Sequence, residues 1–103
     1  MAARAFFEGL PGRAATANLE GLNHSYRFEI AGEGSWNVDI RGGRIDVSEG
    51  VGNGSADATI RASRDVFDRI VSGAQNPATA YMTGKVKVEG DLGAVLKLQR
   101  LFG

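Results

Sequence analysis

The stretch Asn76-Pro-Ala-Thr-Ala-Tyr-Met-Thr-Gly-Lys-Val-Lys-Val-Glu-Gly-Asp91 spells out a helix, a turn, a strand and the start of a second helix. Asn76 before Pro77 predicts a helix start, because proline at the first helical position gives up no intrahelical hydrogen bond. Gly84 predicts the stop, since glycine takes the left-handed conformation without steric cost. Lys85 to Glu89 alternates polar and apolar, the pattern of a strand with one wet face and one buried face. Gly90 turns the chain and Asp91 is placed to cap the next helix. No side chain in this stretch has the makings of a catalyst. It reads as half of an apolar container.

Working upstream, Ser63 predicts the cap of a helix running to about Ser72, with Val66, Phe67, Ile70 and Val71 as its apolar stripe and Gly73 as its end. Ala56 to Ala62 reads as a fourth strand. Its inward set, Ala56, Ala58, Ile60 and Ala62, is mostly small, while Asp57, Thr59, Arg61 and Ser63 face outward. Before the Gly-rich loop Glu49 to Gly54, three alternating runs follow one another: Ser25 to Ile30, Ser35 to Arg41 and Arg44 to Ser48. The turns between them are Gly32-Glu33-Gly34 and Gly42-Gly43, so these runs form an antiparallel meander. Ala2 to Leu10 predicts a short helix with Phe6, Phe7 and Leu10 on one side, broken by Pro11 and Gly12; Arg13 to Leu19 reads as a second helical piece. Downstream, Asp91 opens a terminal helix carrying Leu92, Val95, Leu96, Leu98, Leu101 and Phe102.

Every predicted strand has one apolar and one polar face, the mark of a sheet covered on one side only. The helices must share that side, which makes a two-layer α+β domain. Small residues on the fourth strand lie beneath Phe67, Ile70, Tyr81 and Met82 from the helices. That mismatch means either tight interdigitation or retained space. The terminal helix is also apolar around more of its circumference than a surface helix needs. An empty space would cost stability, and a bound apolar ligand would fill it.

Composition narrows the function. At 103 residues the chain is expected to be one domain able to bury a single core. Its 43% hydrophobic and 23% charged residues are ordinary for a globular protein. Twelve basic residues balance twelve acidic ones, which argues against nucleic-acid binding and against strong electrostatic docking on anionic membranes. With no cysteine, disulfides, zinc-thiolate sites and thiol nucleophiles are excluded. No apolar run reaches transmembrane length. The start, Met-Ala-Ala-Arg-Ala-Phe-Phe-Glu8, lacks a signal peptide's unbroken apolar core, and the final Leu101-Phe102-Gly103 is not a peroxisomal address. A cytoplasmic location is the expectation.

The order of these signals resembles the sterol carrier protein family. Trp36-Asn-Val-Asp-Ile40 precedes the Gly42-Gly43 turn. Ala56-Asp-Ala-Thr-Ile60 then leads through Ser63 to the helix with Phe67. Gly73-x-x-Asn76-Pro77 follows, and Gly84-Lys-Val-Lys-Val-Glu-Gly-Asp91 precedes the Leu-rich terminal helix. The resemblance runs from about Ser25 to Leu101. It implies a five-stranded, mixed and mostly antiparallel sheet with helices on one face and an apolar tunnel between the layers. It also implies a non-enzymatic module that binds fatty acyl chains, acyl-CoA, phospholipids or, in some members, sterols. Carried over by facing, the lipid-contacting set would be Phe28, Trp36, Val38 and Ile40 from the strands. From the helices it would be Phe67, Ile70, Val71, Tyr81, Met82, Val95, Leu96, Leu98 and Leu101.

Several of these residues have a plainer reading. Trp36 serves equally as a core anchor, since aromatics supply the largest buried areas. A helical apolar stripe is often simple core. Met82 suits an adaptable apolar site because its side chain changes shape easily. His24 is the single histidine, so a metal site there would need carboxylates around it. A nucleophile–base pairing of His24 with Ser25 or Ser48 lacks an evident third, orienting group. Gly50-x-Gly52-x-Gly54 leads into a strand rather than a helix, so it is not a phosphate loop. Lys85 and Lys87 either meet a lipid head group or lie on a solvated strand face.

Two functions follow from different classes. The first is a lipid-binding or lipid-carrying module, with the terminal helix as gate, no cofactor and no metal. It would act as a monomer or weak homodimer with transient membrane contact. The second is an interaction or dimerisation module supporting another protein, for example in lipid or quinone biosynthesis.

Overall fold

The computed structural model describes residues 2–13, 21–50 and 56–98. Its elements, in chain order, are α1 (Ala2–Arg13), β1 (His24–Ala31), β2 (Gly34–Arg41), β3 (Arg44–Glu49), β4 (Ala58–Ser63), α2 (Arg64–Ser72), α3 (Pro77–Met82), β5 (Val86–Gly90) and α4 (Leu92–Leu98). The strands form one five-stranded sheet in the order β3-β2-β1-β4-β5. β1 and β4 run parallel and the other neighbours antiparallel, so the sheet is mixed and the fold α+β.

Register explains how the alternating runs build a single buried face. Phe28 stands opposite Trp36 on β2 and Ile60 on β4, and Ile60 in turn opposes Val88 on β5. The neighbouring row joins Ile30, Ala62 and Val86. A further row joins Val47, Val38, Tyr26, Ala58 and Gly90. The helices pack over these rows, with Phe7 of α1 on Trp36 and Phe67 of α2 beside Phe28.

The helix boundaries follow local chemistry. Ser63 is extended and its hydroxyl accepts from the Val66 N–H at 3.2 Å. Gly73, with φ of 88°, closes α2 by donating to the Ile70 carbonyl. Asn76 Oδ1 accepts from the Ala78 and Thr79 N–H groups at 2.8 and 3.2 Å, with Pro77 at the first helical position. After α3, Gly84 takes φ of 79°, and the Lys85 N–H returns to the Ala80 carbonyl at 2.8 Å.

Some boundaries differ from the reading of the sequence. Pro11 and Gly12 do not break α1, which continues to Arg13. Pro11 falls in the last turn, so only the bond its missing N–H would have made is lost and the helix ends two residues on. β4 begins at Ala58 rather than Ala56. Asp57 is instead held at the sheet end, where its carboxylate accepts from the Ser25 N–H at 2.9 Å and lies 3.5 Å from His24 Nδ1. β5 begins at Val86 rather than Lys85, because the Lys85 N–H is committed to closing α3. Gly90 is the last residue of β5, set against Ala58, and is not a free turn. The second helical piece, apart from Arg13, lies outside the described residues, as do residues 51–55 of the Gly-rich loop and Leu101 and Phe102 of the terminal helix.

The wet face of the sheet carries an ion-pair row across three strands. Glu29 accepts from Arg27 at 2.8 Å and from Arg61 at 2.6 Å, and Arg61 also bonds Glu89. Hydrogen bonds from Arg27 and Arg61 hold the Glu29 carboxyl below its ordinary pKa. Asp57 is lowered too, mainly by the Ser25 N–H. A carboxyl lowered by folding adds stability above its unfolded pKa of about 4 and loses it as pH falls through the folded value. Urea midpoints should therefore be level from neutrality to about pH 5 and fall below about pH 4. Glu29→Gln should shrink that acid fall; an unchanged acid slope would show that the row contributes nothing.

Candidate functional site

Ala62 is one of the smallest residues on the covered face, and the helices do not sink to fill the space above it. Between the sheet and the helices α2, α3 and α4 lies a cavity of about 250 Å³. Its floor is Phe28, Ile60, Ala62, Val86 and Val88 from β1, β4 and β5. Phe67 and Ile70 of α2 form one wall, and Pro77, Ala78, Tyr81 and Met82 of α3 another. Leu92, Val95 and Leu96 of α4 complete it. Among the described residues of the lining the Tyr81 hydroxyl is the only side-chain oxygen or nitrogen, and no carboxylate, imidazole, amine or thiol stands beside it.

Burial gives the cavity a direction. Phe28 and Phe67 are 3% and 2% exposed, whereas Leu96 and Met82 are 54% and 82% exposed. Tyr81 and Leu92 are also partly in solvent. The closed end therefore lies at the two phenylalanines and the mouth between α3 and α4. Behind the closed end stands an aromatic stack: the Phe7 ring is 4.6 Å from Trp36 and 5.4 Å from Phe67, nearly parallel to both. Phe6 meets Phe67 edge-on at 5.6 Å.

α4 is tied down at defined points. The Tyr26 hydroxyl, buried beneath it, donates to the Ala94 carbonyl at 2.7 Å. Asp91 Oδ1 accepts from the Ala94 N–H at 3.1 Å, and the Asp91 N–H donates to the Asp57 carbonyl at 2.9 Å. Tyr26→Phe removes one buried hydrogen bond, worth about 1 kcal/mol. A melting temperature about 5 °C lower is expected for a domain of this size; an unchanged melting temperature would show that this bond adds nothing to the hold on α4.

Of the residues singled out by facing, Phe28, Phe67, Ile70, Tyr81, Met82, Val95 and Leu96 come together around the cavity. Trp36, Val38 and Ile40 do not line it. They face the covered side, but β2 lies beyond β1 from β4, and Trp36 is covered by Phe7 of α1. Trp36 thus serves as the core anchor of the plainer reading. Val71 packs on the core without reaching the cavity. Leu98 ends α4, and its side chain, like Leu101, lies outside the description. The candidate set left out Ile60 and Ala62, although both read as inward-facing, and also Val86, Val88, Pro77, Ala78 and Leu92. The four strand residues were recoverable from parity next to the alanine-rich strand. Pro77 and Ala78 carried only the signal of a helix start.

His24 pairs with Asp57, and no cluster of three or more potential metal ligands occurs among the described residues. None of the described helices is long and apolar enough to cross a membrane.

Residues 6–103 match the SCP-2 sterol transfer family. The chain is 32% identical over 98 residues to hydroxysteroid dehydrogenase-like protein 2 of Xenopus tropicalis, covering 93% of this chain but 23% of that protein. It thus spans about a quarter of the length of that relative. Among solved structures, sterol carrier protein domain 2 of Helicoverpa armigera superposes with a TM-score of 0.80 at 24% identity, covering 97% of this chain and 84% of that one. The palmitated SCP2L2 of Aedes aegypti superposes with a TM-score of 0.78 at 20% identity, covering 99% and 95%.

Proposed function

We propose, from the premise that this chain belongs to the SCP-2 sterol transfer family, that its cavity takes up the apolar part of a lipid and carries it without chemical change. The observation that carries this reading is the lining: a closed apolar end opening on an apolar, solvent-exposed rim. About ten buried methylenes supply roughly 8 kcal/mol before ordering costs, which places dissociation constants at micromolar or weaker.

Phe28, Phe67, Ile70, Tyr81, Met82, Val95 and Leu96 would contact the acyl chain, joined by the strand residues Ile60, Ala62, Val86 and Val88. α4 is the natural gate, since its removal would expose one wall of the cavity. The rim at Met82 and Leu96 would meet a membrane during uptake. That the mosquito relative is palmitated supports an acyl ligand.

Titration calorimetry with decanoate tests the reading. One site with a negative heat-capacity change of binding is expected; no heat and no thermal stabilisation at millimolar ligand would refute it. The exposed apolar rim also favours a second reading, a surface that joins a second copy or another protein. A dimer that purifies without lipid and ignores added acyl chains would support that reading instead.

A further inference from the structure

We infer that this site is a medium-chain site, measured to about ten carbons by an aromatic stop. The inference rests on reading the cavity as a lipid site and adds the length and direction of the chain it holds.

Volume sets the length. An apolar cavity of about 150 Å³ takes one benzene, or six carbons. By the same packing, the 250 Å³ between sheet and helices takes about ten carbons. A fused-ring lipid or a long acyl chain exceeds that space, and its remainder must stand outside.

Direction follows from polarity and burial. The closed end is hydrocarbon on all sides, so a carboxylate or ester placed there would lose its water without gaining a partner. The methyl end therefore points to Phe28 and Phe67, and the head group stays at the mouth by Met82 and Leu96. The stop is rigid. Phe67 is backed by Phe7, which is itself backed by Trp36, and the ring centres are 5.4 and 4.6 Å apart. With Phe7 and Trp36 fully or almost fully buried, the stack has no solvent side into which it can retreat. Lengthening the cavity inward requires breaking the stack.

The test is a series of dissociation constants for straight-chain fatty acids from hexanoate to palmitate, each below its micelle threshold. Affinity should rise about fourfold per methylene up to about ten carbons, then flatten to less than about twofold. A steady fourfold rise through palmitate would overturn the length limit while leaving the lipid site standing. No binding at any length would overturn the lipid reading itself. Phe67→Ala removes the stop and should move the break to longer chains. Should that variant fail to fold, Ala78→Leu, which narrows the cavity near α3, should move the break to shorter chains. A folded Ala78→Leu protein with the parent's break would overturn the inference.

Discussion

Replacing Ala62 by Phe should weaken binding of a medium-chain fatty acid by roughly three-thousandfold or more while leaving the protein folded. Ala62 stands on the cavity floor, between Ile30 and Val86 in the same row of the sheet. A phenyl ring placed there needs about the space of a benzene, roughly 150 Å³, and the cavity offers about 250 Å³. The ring fits without overpacking and displaces about six carbons of ligand, which removes roughly 5 kcal/mol of burial. Because the ring fills an existing void, the unliganded variant should melt no lower than the unliganded parent. Undiminished binding in the folded variant would place the ligand elsewhere on the molecule.

Gly90→Ala should be the most destabilising single methyl in the described chain. At this residue φ is 96°, and a Cβ would lie 2.4 Å from the Asp57 carbonyl oxygen and 3.1 Å from the Ala58 Cα. Both obstacles are backbone atoms, of Ala58 at the start of β4 and of Asp57 just before it, so neither can swing aside as a side chain would. The left-handed conformation alone costs about 1–2 kcal/mol; with the collision the total should exceed about 4 kcal/mol, lowering the melting temperature by roughly 20 °C. Gly73→Ala is the control. Its φ is 88°, but nothing lies within 4 Å of the added carbon, so it should show the conformational cost without the collision. Equal losses in the two variants would mean that β4 and β5 separate freely at this point. Because Asp91, directly after Gly90, donates to the same Asp57 carbonyl, separation there would also loosen α4.

Strand facing was legible because period-two alternation reports burial directly. The alternating residues from Tyr26 to Ile30, from Trp36 to Ile40 and at Ile60 and Ala62 all point into the covered layer. Lateral position was not legible from those same residues. Alternation says which face a side chain takes, not which helix stands over it. Trp36, Val38 and Ile40 therefore looked the same as Ile60 and Val88 until the order β3-β2-β1-β4-β5 placed β2 on the far side of β1 from the cavity. The parallel pairing of β1 with β4, which sets that order, has no local signature: it joins residues far apart in the chain, and only the family resemblance implied a mixed sheet. The space itself had a sequence signal, since alanine on β4 beneath Phe67, Ile70, Tyr81 and Met82 predicted either interlocking or a gap. The gap follows from where the caps at Asn76 and Asp91 set the short helices α3 and α4, which is a matter of three dimensions. Pro11 was misread because proline's effect depends on its place in the helix. In the last turn it costs one bond, and α1 runs on past it.

Native mass spectrometry of freshly purified protein, followed by organic extraction, tests the central claim most directly. The account predicts a one-to-one adduct with the mass of a single lipid, released by solvent as an acyl-bearing molecule and missing from Ala62→Phe. An unadducted mass under gentle conditions, with no thermal shift on adding decanoate, would contradict it.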